Sequence, residues 1–529
     1  MHNKKLQVWL PLLLSIVMIA GMFIGYRIKE NMPGKGFFYT EKRTPVQEVI
    51  NLIESKYVDD VKIDSIANNA IEVILTQLDP HSVYLPASQL QQLKEDLAGE
   101  FYGIGVEYKV LNDTIHVLNV LKGGPSDKAG LHLGDQILQV GDSLVAGVNI
   151  TTEKIKRYLR GSGGTKVKLN ILRNGEKKLI AIVRGMIPLY SLDAAYMINN
   201  ETGYLRLNKF SETTYKEFMQ ATEKLKSQGM QNMILDLRDN GGGILTEATD
   251  IADEFLSGNK LITFTEGKHS KKKEYLCKRE GIFEKGEVVV LANDGTASAS
   301  EVLIGALQDW DRATIIGRRT FGKGLVQEQY ELSDGSGIRL TISRYYTPLG
   351  RSIQKSYSEG SQAYKDELNS RFAHGEVLFA DSIKHLNGKT FKTKNGKTVY
   401  SGGGITPDIF VAMDTAGYNE ELNKAMVKGT IYDFVYRNYL SNRSQFSVYK
   451  SPLDFEKNYT IDEETWKNLS NYAAKDSVNF TLFGTKEKQA LTKQIKLLTA
   501  RQIWRNEGLF KVSNAQDSLI KKALEVFNN

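Results

Sequence analysis

The sequence predicts an α/β fold with helical regions at both ends, and three stretches carry that expectation. The first, Ile234-Leu235-Asp236-Leu237-Arg238-Asp239, is an apolar strand pattern that runs into Asn240-Gly241-Gly242-Gly243. Glycines at a strand end let backbone approach a ligand without side-chain obstruction. The second is the spacing of Val302, Leu303, Ala306, Leu307 and Trp310, which predicts a buried helix over about residues 298–309. The third is the pair of strand-like runs Ala313-Thr314-Ile315-Ile316-Gly317 and Leu325-Val326-Gln327, on either side of a glycine-containing turn.

At the amino end, Lys4 and Lys5 precede residues 8–26, a run of 19 positions without a charge. Such a run is long enough to cross a bilayer as a helix. Ala20-Gly21-Met22 is a poor small-x-small cleavage site, which favours an uncleaved signal anchor; a removed signal peptide is the alternative. Arg27, Lys29, Lys35 and Lys42 follow closely, so the positive-inside rule sets no orientation. A linker at 32–36 completes this first segment, 1–36, and leads to a helical region at 41–98. There Val49, Leu52 and Ile53, then Ile66, Ala70, Ile74 and Leu75, have helical spacing that ends at Leu78-Asp79-Pro80-His81-Ser82. Residues 355–400 are polar with aromatics. From 414 to 529 the pattern is mostly helical, as at 422–435 and 486–504.

A chain of 529 residues suggests three or four domains. Its net charge of +7 arises from 69 basic against 62 acidic residues, a slight excess that gives no support to nucleic-acid binding. The densest basic cluster, Lys268-His269-Ser270-Lys271-Lys272-Lys273, reads as a solvated hairpin tip. Cys277 is the sole cysteine, so no intramolecular disulfide forms, and this neither requires nor excludes an oxidising compartment. The seven histidines lack metal-ligand spacing, which weakens a zinc hydrolase. No metal or other cofactor is expected.

The chemistry concentrates in Asn293-Asp294-Gly295-Thr296-Ala297-Ser298-Ala299-Ser300-Glu301 and Thr320-Phe321-Gly322-Lys323-Gly324-Leu325-Val326-Gln327. A serine hydroxyl becomes nucleophilic when a base takes its proton, and a neutral lysine in a desolvated pocket is such a base. Ser298 would sit at a helix start, where unpartnered N–H groups and the helix dipole can hold an oxyanion; the N–H of Ala299 is the natural first donor. The same Ser298-Ala299-Ser300-Glu301 also fits a capping box, in which the serine only caps the helix. Lys323 between two glycines equally fits a solvated loop tip. To act as a base it must be buried or lie beside a positive charge. Gln327, four positions on, shares a face with Lys323 if the strand begins at the turn, and could orient it.

Thr296-Ala297-Ser298-Ala299-Ser300-Glu301, Gly305-Ala306-Leu307-Gln308-Asp309, Arg312-Ala313 and Thr320-Phe321-Gly322-Lys323-Gly324 with Val326-Gln327 resemble the catalytic segment of the carboxyl-terminal processing proteases. These tail-specific proteases are serine peptidases of family S41. The resemblance implies that Ser298 is the nucleophile of a serine endopeptidase, Lys323 the general base and Gln327 the residue that positions the lysine. Ile234 to Gly243 resembles the family strand and turn whose backbone N–H is the second oxyanion donor. The usual proline is a glycine here, so either Gly241 or Gly242 presents that donor. Arg344-Tyr345-Tyr346-Thr347-Pro348, Gly350-Arg351-Ser352-Ile353-Gln354 and Gly404-Ile405-Thr406-Pro407-Asp408 also resemble family segments.

Ahead of this region, Gly103-Ile104-Gly105-Val106, Gly124-Pro125-Ser126-Asp127-Lys128-Ala129-Gly130-Leu131 and Gly134-Asp135-Gln136-Ile137-Leu138-Gln139-Val140-Gly141-Asp142 resemble a PDZ domain at 100–184. Such a domain adds a peptide as a strand to a sheet edge while a glycine loop, here Gly103 to Val106, holds its terminal carboxylate. Ile104 and Val106 would line the pocket and favour apolar last residues.

Together these resemblances imply a crotonase-like (ClpP/crotonase-type) α/β catalytic core at 185–413 with an inserted PDZ domain, protein substrates with a free carboxyl terminus, and an insertion at about 355–400, a stretch longer than the family core needs. The region at 41–98 would be a helical arm or dimerisation element, so a homodimer is a candidate assembly. The implied location is the bacterial inner membrane, single-pass, with a cytoplasmic tip and the catalytic part on the periplasmic side, or the periplasm after signal cleavage. The rival reading is a non-enzymatic PDZ scaffold on an inactive protease fold, and the joint presence of Ser298, Lys323 and Gln327 argues against it. A Ser–His esterase would need a nucleophile-elbow motif, and the sequence has none.

Overall fold

The computed structural model describes residues 4–31, 44–383, 389–415, 419–481 and 483–528. The linker expected at 32–36 lies outside them. The chain forms two compact units, Met1–Ile74 and Leu75–Asn529.

In the first unit, the helix Lys4–Asn31 contains Trp9–Arg27, a 19-residue window of mean hydropathy 2.0 that is wholly exposed. By length and composition it can cross a membrane. The helix Pro45–Lys56 begins with proline, whose missing N–H costs nothing at a first helical position, and buries none of its residues. The helix Ile63–Thr76 follows.

The second unit is built on a six-stranded sheet in the order Leu192–Met197, Thr202–Leu207, Asn232–Asp236, Val288–Ala292, Thr314–Gly317 and Ile409–Phe410. Its first pair is antiparallel and the remaining pairs are parallel. Val288–Ala292 is buried at every position, the continuous apolar run expected of a parallel strand covered on both faces. On one face the helices Thr214–Ser227, Leu245–Asp253 and Ala299–Asp309 supply core residues including Phe218, Ile251 and Leu303. On the other, Leu519, Ile520 and Ala523 of the helix Ser518–Phe527 pack on Ile234, Val289, Leu291 and Ile316. A second sheet pairs Gly337–Tyr346 with Val83–Leu85, Leu261–Glu266 and Leu325–Glu331. The amino-terminal region thus contributes a short strand after its helices. The basic cluster at 268–273 lies at the turn between Leu261–Glu266 and Lys273–Leu276.

Residues 103–183 form a separate core around Ile115, Ile137, Leu169 and Ile182. This unit hangs from a two-stranded neck, because Glu100–Gly103 on entry pairs antiparallel with Gly185–Pro188 on exit. The carboxyl-terminal helices pack around Leu422, Phe434, Leu469 and Leu491. They reach the outer face of the strand Val106–Leu111 through the pairs Asp433–Lys109 and Arg505–Glu107. The long helix Thr485–Asn514 breaks at Arg505, whose φ is 63°. The insertion contains the helix Gly360–Ala373, a single 3-10 turn and the hairpin Thr390–Lys392 with Thr398–Tyr400.

Candidate active site

The helix Ala299–Asp309 is buried along its whole length, and Ser298 stands immediately before it. The capping box is closed from the glutamate side: Glu301 Oε2 accepts the Ser298 N–H at 2.8 Å. On the serine side the Ser298 side chain faces the backbone N–H of Glu301, completing the box without a cap bond of strict hydrogen-bond geometry. With φ 59° and ψ −118°, Ser298 also lacks the extended backbone of an ordinary N-cap. A non-glycine residue at such a φ costs about 1–3 kcal/mol and persists only where its surroundings hold it. Ser298 itself is half-buried.

Lys323 lies in the loop before the strand Leu325–Glu331 and is largely withdrawn from water. Burial, reinforced by the positive Arg339, lowers its pKa to about 8 despite the opposing pull of Glu301 and Asp79. Its Nζ donates to Gln327 Oε1 at 3.0 Å. Gln327 Nε2 donates in turn to the His81 carbonyl at 2.6 Å. A carbonyl only accepts, so this second bond fixes which end of the amide faces the lysine. The strand starts two residues after Lys323 and bulges between Val326 and Gln327, so the contact arises from loop and bulge rather than from regular alternation. Burial and the neighbouring Lys323 lower His81 to about 4, which keeps its ring neutral at physiological pH. Among the described residues no hydrogen bond joins Ser298 Oγ to Lys323 Nζ.

Two buried side chains, whose part the sequence motifs did not disclose, tie the serine turn to the lysine loop. Glu301 Oε2 accepts from the backbone N–H of both Ser298 and Lys323, at 2.8 and 2.9 Å. Its Oε1 accepts from the Thr320 hydroxyl at 2.5 Å and the Gly322 N–H at 2.8 Å. Tyr345 makes the complementary bracket, with its hydroxyl against the carbonyls of Ser298 at 3.0 Å and Lys323 at 2.6 Å. Burial raises the Glu301 carboxyl above its usual range, while the four donors favour the charged form.

The glycine turn approaches from the parallel sheet. A Cβ on Gly242 would lie 2.7 Å from Ser298 Cβ and 2.9 Å from the Ala299 N, so only glycine fits. A Cβ on Gly241 would meet nothing within 4 Å. The Gly242 N–H donates to Asn240 Oδ1 at 2.9 Å, whereas no turn or side-chain bond among the described residues engages the Ala299 N–H.

In the small domain, Val106–Leu111 is an edge strand. The carbonyls of Ile104 and Gly105 accept from the N–H groups of Ser126 and Leu121 at 3.0 and 2.9 Å. No turn or side-chain bond among the described residues takes the N–H of Ile104 or Gly105. Ile104 is only 2% exposed and belongs to the domain core; Val106 is half-buried.

The comparisons with known proteins agree with this architecture. A model for peptidase family S41 matches residues 201–360, and a PDZ domain model matches residues 103–183. The carboxy-terminal-processing protease of Bartonella bacilliformis is 35% identical over 350 residues, 65% of this chain and 80% of that protein. This chain belongs to the carboxy-terminal-processing proteases of family S41. The protease is therefore a serine-type peptidase that carries a PDZ domain. It is also 35% identical over 305 residues to the carboxy-terminal processing protease CtpA of Bacillus subtilis, 57% of this chain and 65% of the relative. Among solved structures, a photosystem II D1 C-terminal processing protease aligns over 71% of this chain and 89% of its own, with 26% identity and a TM-score of 0.35. Residues 422–505 match a family of unknown function.

Proposed function

We propose that the protein is a membrane-anchored endopeptidase that cleaves protein substrates held by their carboxyl ends, with Ser298 as nucleophile and Lys323 as general base on a crotonase-like core. Neutral Lys323 takes the hydroxyl proton as Ser298 Oγ attacks the scissile carbonyl, and returns it to the leaving amine; water then hydrolyses the acyl-enzyme by the same base. Gln327 accepts one N–H of the amine and so aims its lone pair. The oxyanion falls to the Ala299 N–H and to a second donor from the glycine turn, Gly241 or Gly242; Gly242 packs against Ser298, but its N–H is already held by Asn240 Oδ1. The Ser298–Lys323 bond belongs to the substrate complex, where catalytic hydrogen bonds commonly tighten.

The observation that carries the reading is a buried lysine of lowered pKa whose loop shares one carboxylate with the serine turn. The full-length protein should hydrolyse an unfolded protein, while folded Ser298→Ala and Lys323→Ala variants should not. Activity should rise through a midpoint near 8 as the lysine loses its proton. Full activity in Ser298→Ala would remove the assignment.

The remaining parts follow the same scheme, with the PDZ domain at 100–184, the catalytic core at 185–413 and helical regions at 41–98 and 414–529. The loop 103–106 receives the substrate carboxylate beside the free edge of Val106–Leu111. The helix around Trp9–Arg27 anchors the chain in the inner membrane with the catalytic part in the periplasm, and the exposed apolar positions Val46, Val49 and Leu52 suit an arm that pairs two copies. Recovery of the intact chain in membranes after a high-salt wash would support the anchor, since salt screens charge but not apolar insertion. A soluble chain beginning after residue 20 would replace it with a cleaved signal.

A further inference from the structure

We propose that Arg371, carried by the helix Gly360–Ala373 of the insertion, is a positioning residue for Lys323; the inference rests on the assignment of Lys323 as base. Residues 318–324, which deliver the lysine, have no regular secondary structure and include Gly322 at φ 90°. A loop of that kind has no ladder of its own to hold it, so its position is set by what it touches. Its amide side is held by Glu301 through Gly322 and Lys323. Its carbonyl side is held by the insertion. Arg371 Nη1 donates to the carbonyls of Arg319 and Thr320 at 3.4 and 2.8 Å, and Nη2 to that of Phe321 at 3.1 Å. The guanidinium thus spans three successive carbonyls, and its Nε is anchored on Glu367 at 2.6 Å. Arg371 is 4% exposed, so these bonds form away from competing water.

Two more contacts act on the same assembly. Glu376 takes the Arg319 guanidinium at 2.5 and 2.8 Å, fixing the start of the loop. The Tyr364 hydroxyl lies 2.7 Å from His81 Nε2, and the carbonyl of that histidine orients Gln327 against Lys323. The insertion therefore grips the base from the loop side and the glutamine from the histidine side. The groups that act electrostatically on Lys323 are Arg339 from the strand Gly337–Tyr346, Glu301 from the serine helix and Asp79, with neutral His81 alongside. The insertion's Lys355 acts on the adjacent His81, and loosening the insertion changes the hydration of the lysine.

Truncating a buried arginine invites misfolding, so the tests are Arg371→Lys, which keeps the charge but lacks the planar fork, and Tyr364→Phe, which removes one hydroxyl. Both are measured in the full-length protein, checked for folding by thermal melting, on a peptide with a free carboxyl end and beside Lys323→Ala. Water admitted to Lys323 raises its pKa, so the midpoint of the rate profile should move above 8 by about half to one unit. That shift predicts roughly three- to tenfold lower kcat at neutral pH, an unchanged KM, and recovery at higher pH. Folded variants that keep the wild-type midpoint, whether or not kcat falls, would overturn the proposal by reducing Arg371 to a structural part. Activity surviving in Lys323→Ala would instead overturn the base assignment on which it stands.

Discussion

The serine–lysine site and the PDZ loop solve the same electrostatic problem in opposite ways. In the catalytic core, backbone N–H groups from Ser298, Gly322 and Lys323 converge on a carboxylate that the chain supplies itself, Glu301. In the PDZ loop, the carbonyls of Ile104 and Gly105 are engaged, while their N–H groups meet no turn or side-chain acceptor among the described residues. The internal carboxylate makes a rigid bracket. The second arrangement suits a carboxylate that arrives from outside. Converging amides by themselves therefore do not mark a binding site; what matters is whether the fold has already filled them.

Glu301→Ala breaks the internal half of this comparison and should have the largest effect. It leaves three backbone N–H groups and the Thr320 hydroxyl without their acceptor in a buried site, at about 1–3 kcal/mol each. A loss of several kcal/mol in denaturant titration is expected, with hydrolysis lost as well. A midpoint equal to wild type would show that Glu301 does not hold the two loops together.

Amidating the carboxyl end of a peptide tests the external half. Its affinity for full-length Ser298→Ala protein should fall by about ten- to a hundredfold, or about 1.5–3 kcal/mol, the scale of a charge-assisted bond. Equal affinities for free-acid and amidated peptides would mean that the loop 103–106 does not read the carboxylate.

The smallest effect sharpens the contrast by removing the buried cation. Lys323 titrates near 8 in the fold against 10.5 when free, so below pH 8 the folded chain carries the full cost of burying the ammonium. As pH rises from 8 through 10.5 the folded state releases its proton first and the cost is relieved. Lys323→Met should therefore be inactive yet more stable at pH 7, by about 1–3 kcal/mol, with the advantage shrinking above pH 8. A destabilised variant at pH 7 would show that the lysine's contacts outweigh its burial.

Ser298, Lys323 and Gln327 were legible as candidates because each lies in a short contiguous motif, and the serine helix because its apolar residues repeat with the helical period. Glu301 was legible only as a cap partner. Its remaining partners lie 19 to 22 positions away, beyond the reach of a local pattern. Tyr345 stood inside a resembling segment that assigns it no partner. The bond from Gln327 to His81 spans 246 positions, and Arg371 meets the lysine loop from a segment whose polar, aromatic composition carries no period. The helix Ser518–Phe527 lies in a stretch read only as mostly helical, and a helical pattern says at most that one face is covered. The structure covers that face with the central sheet, where Asp517 also accepts from Arg238 at 2.7 Å, just ahead of the glycine turn.

By itself, then, the sequence marked the candidate reactive groups and the elements that carry them, since chemistry and periodicity are properties of neighbours along the chain. Tertiary structure alone decided which glycine meets the serine, which end of the Gln327 amide faces the lysine, and which carboxylate unites the two loops. Those choices depend on packing and hydrogen bonds between segments far apart in the chain, and such contacts leave no mark on local pattern.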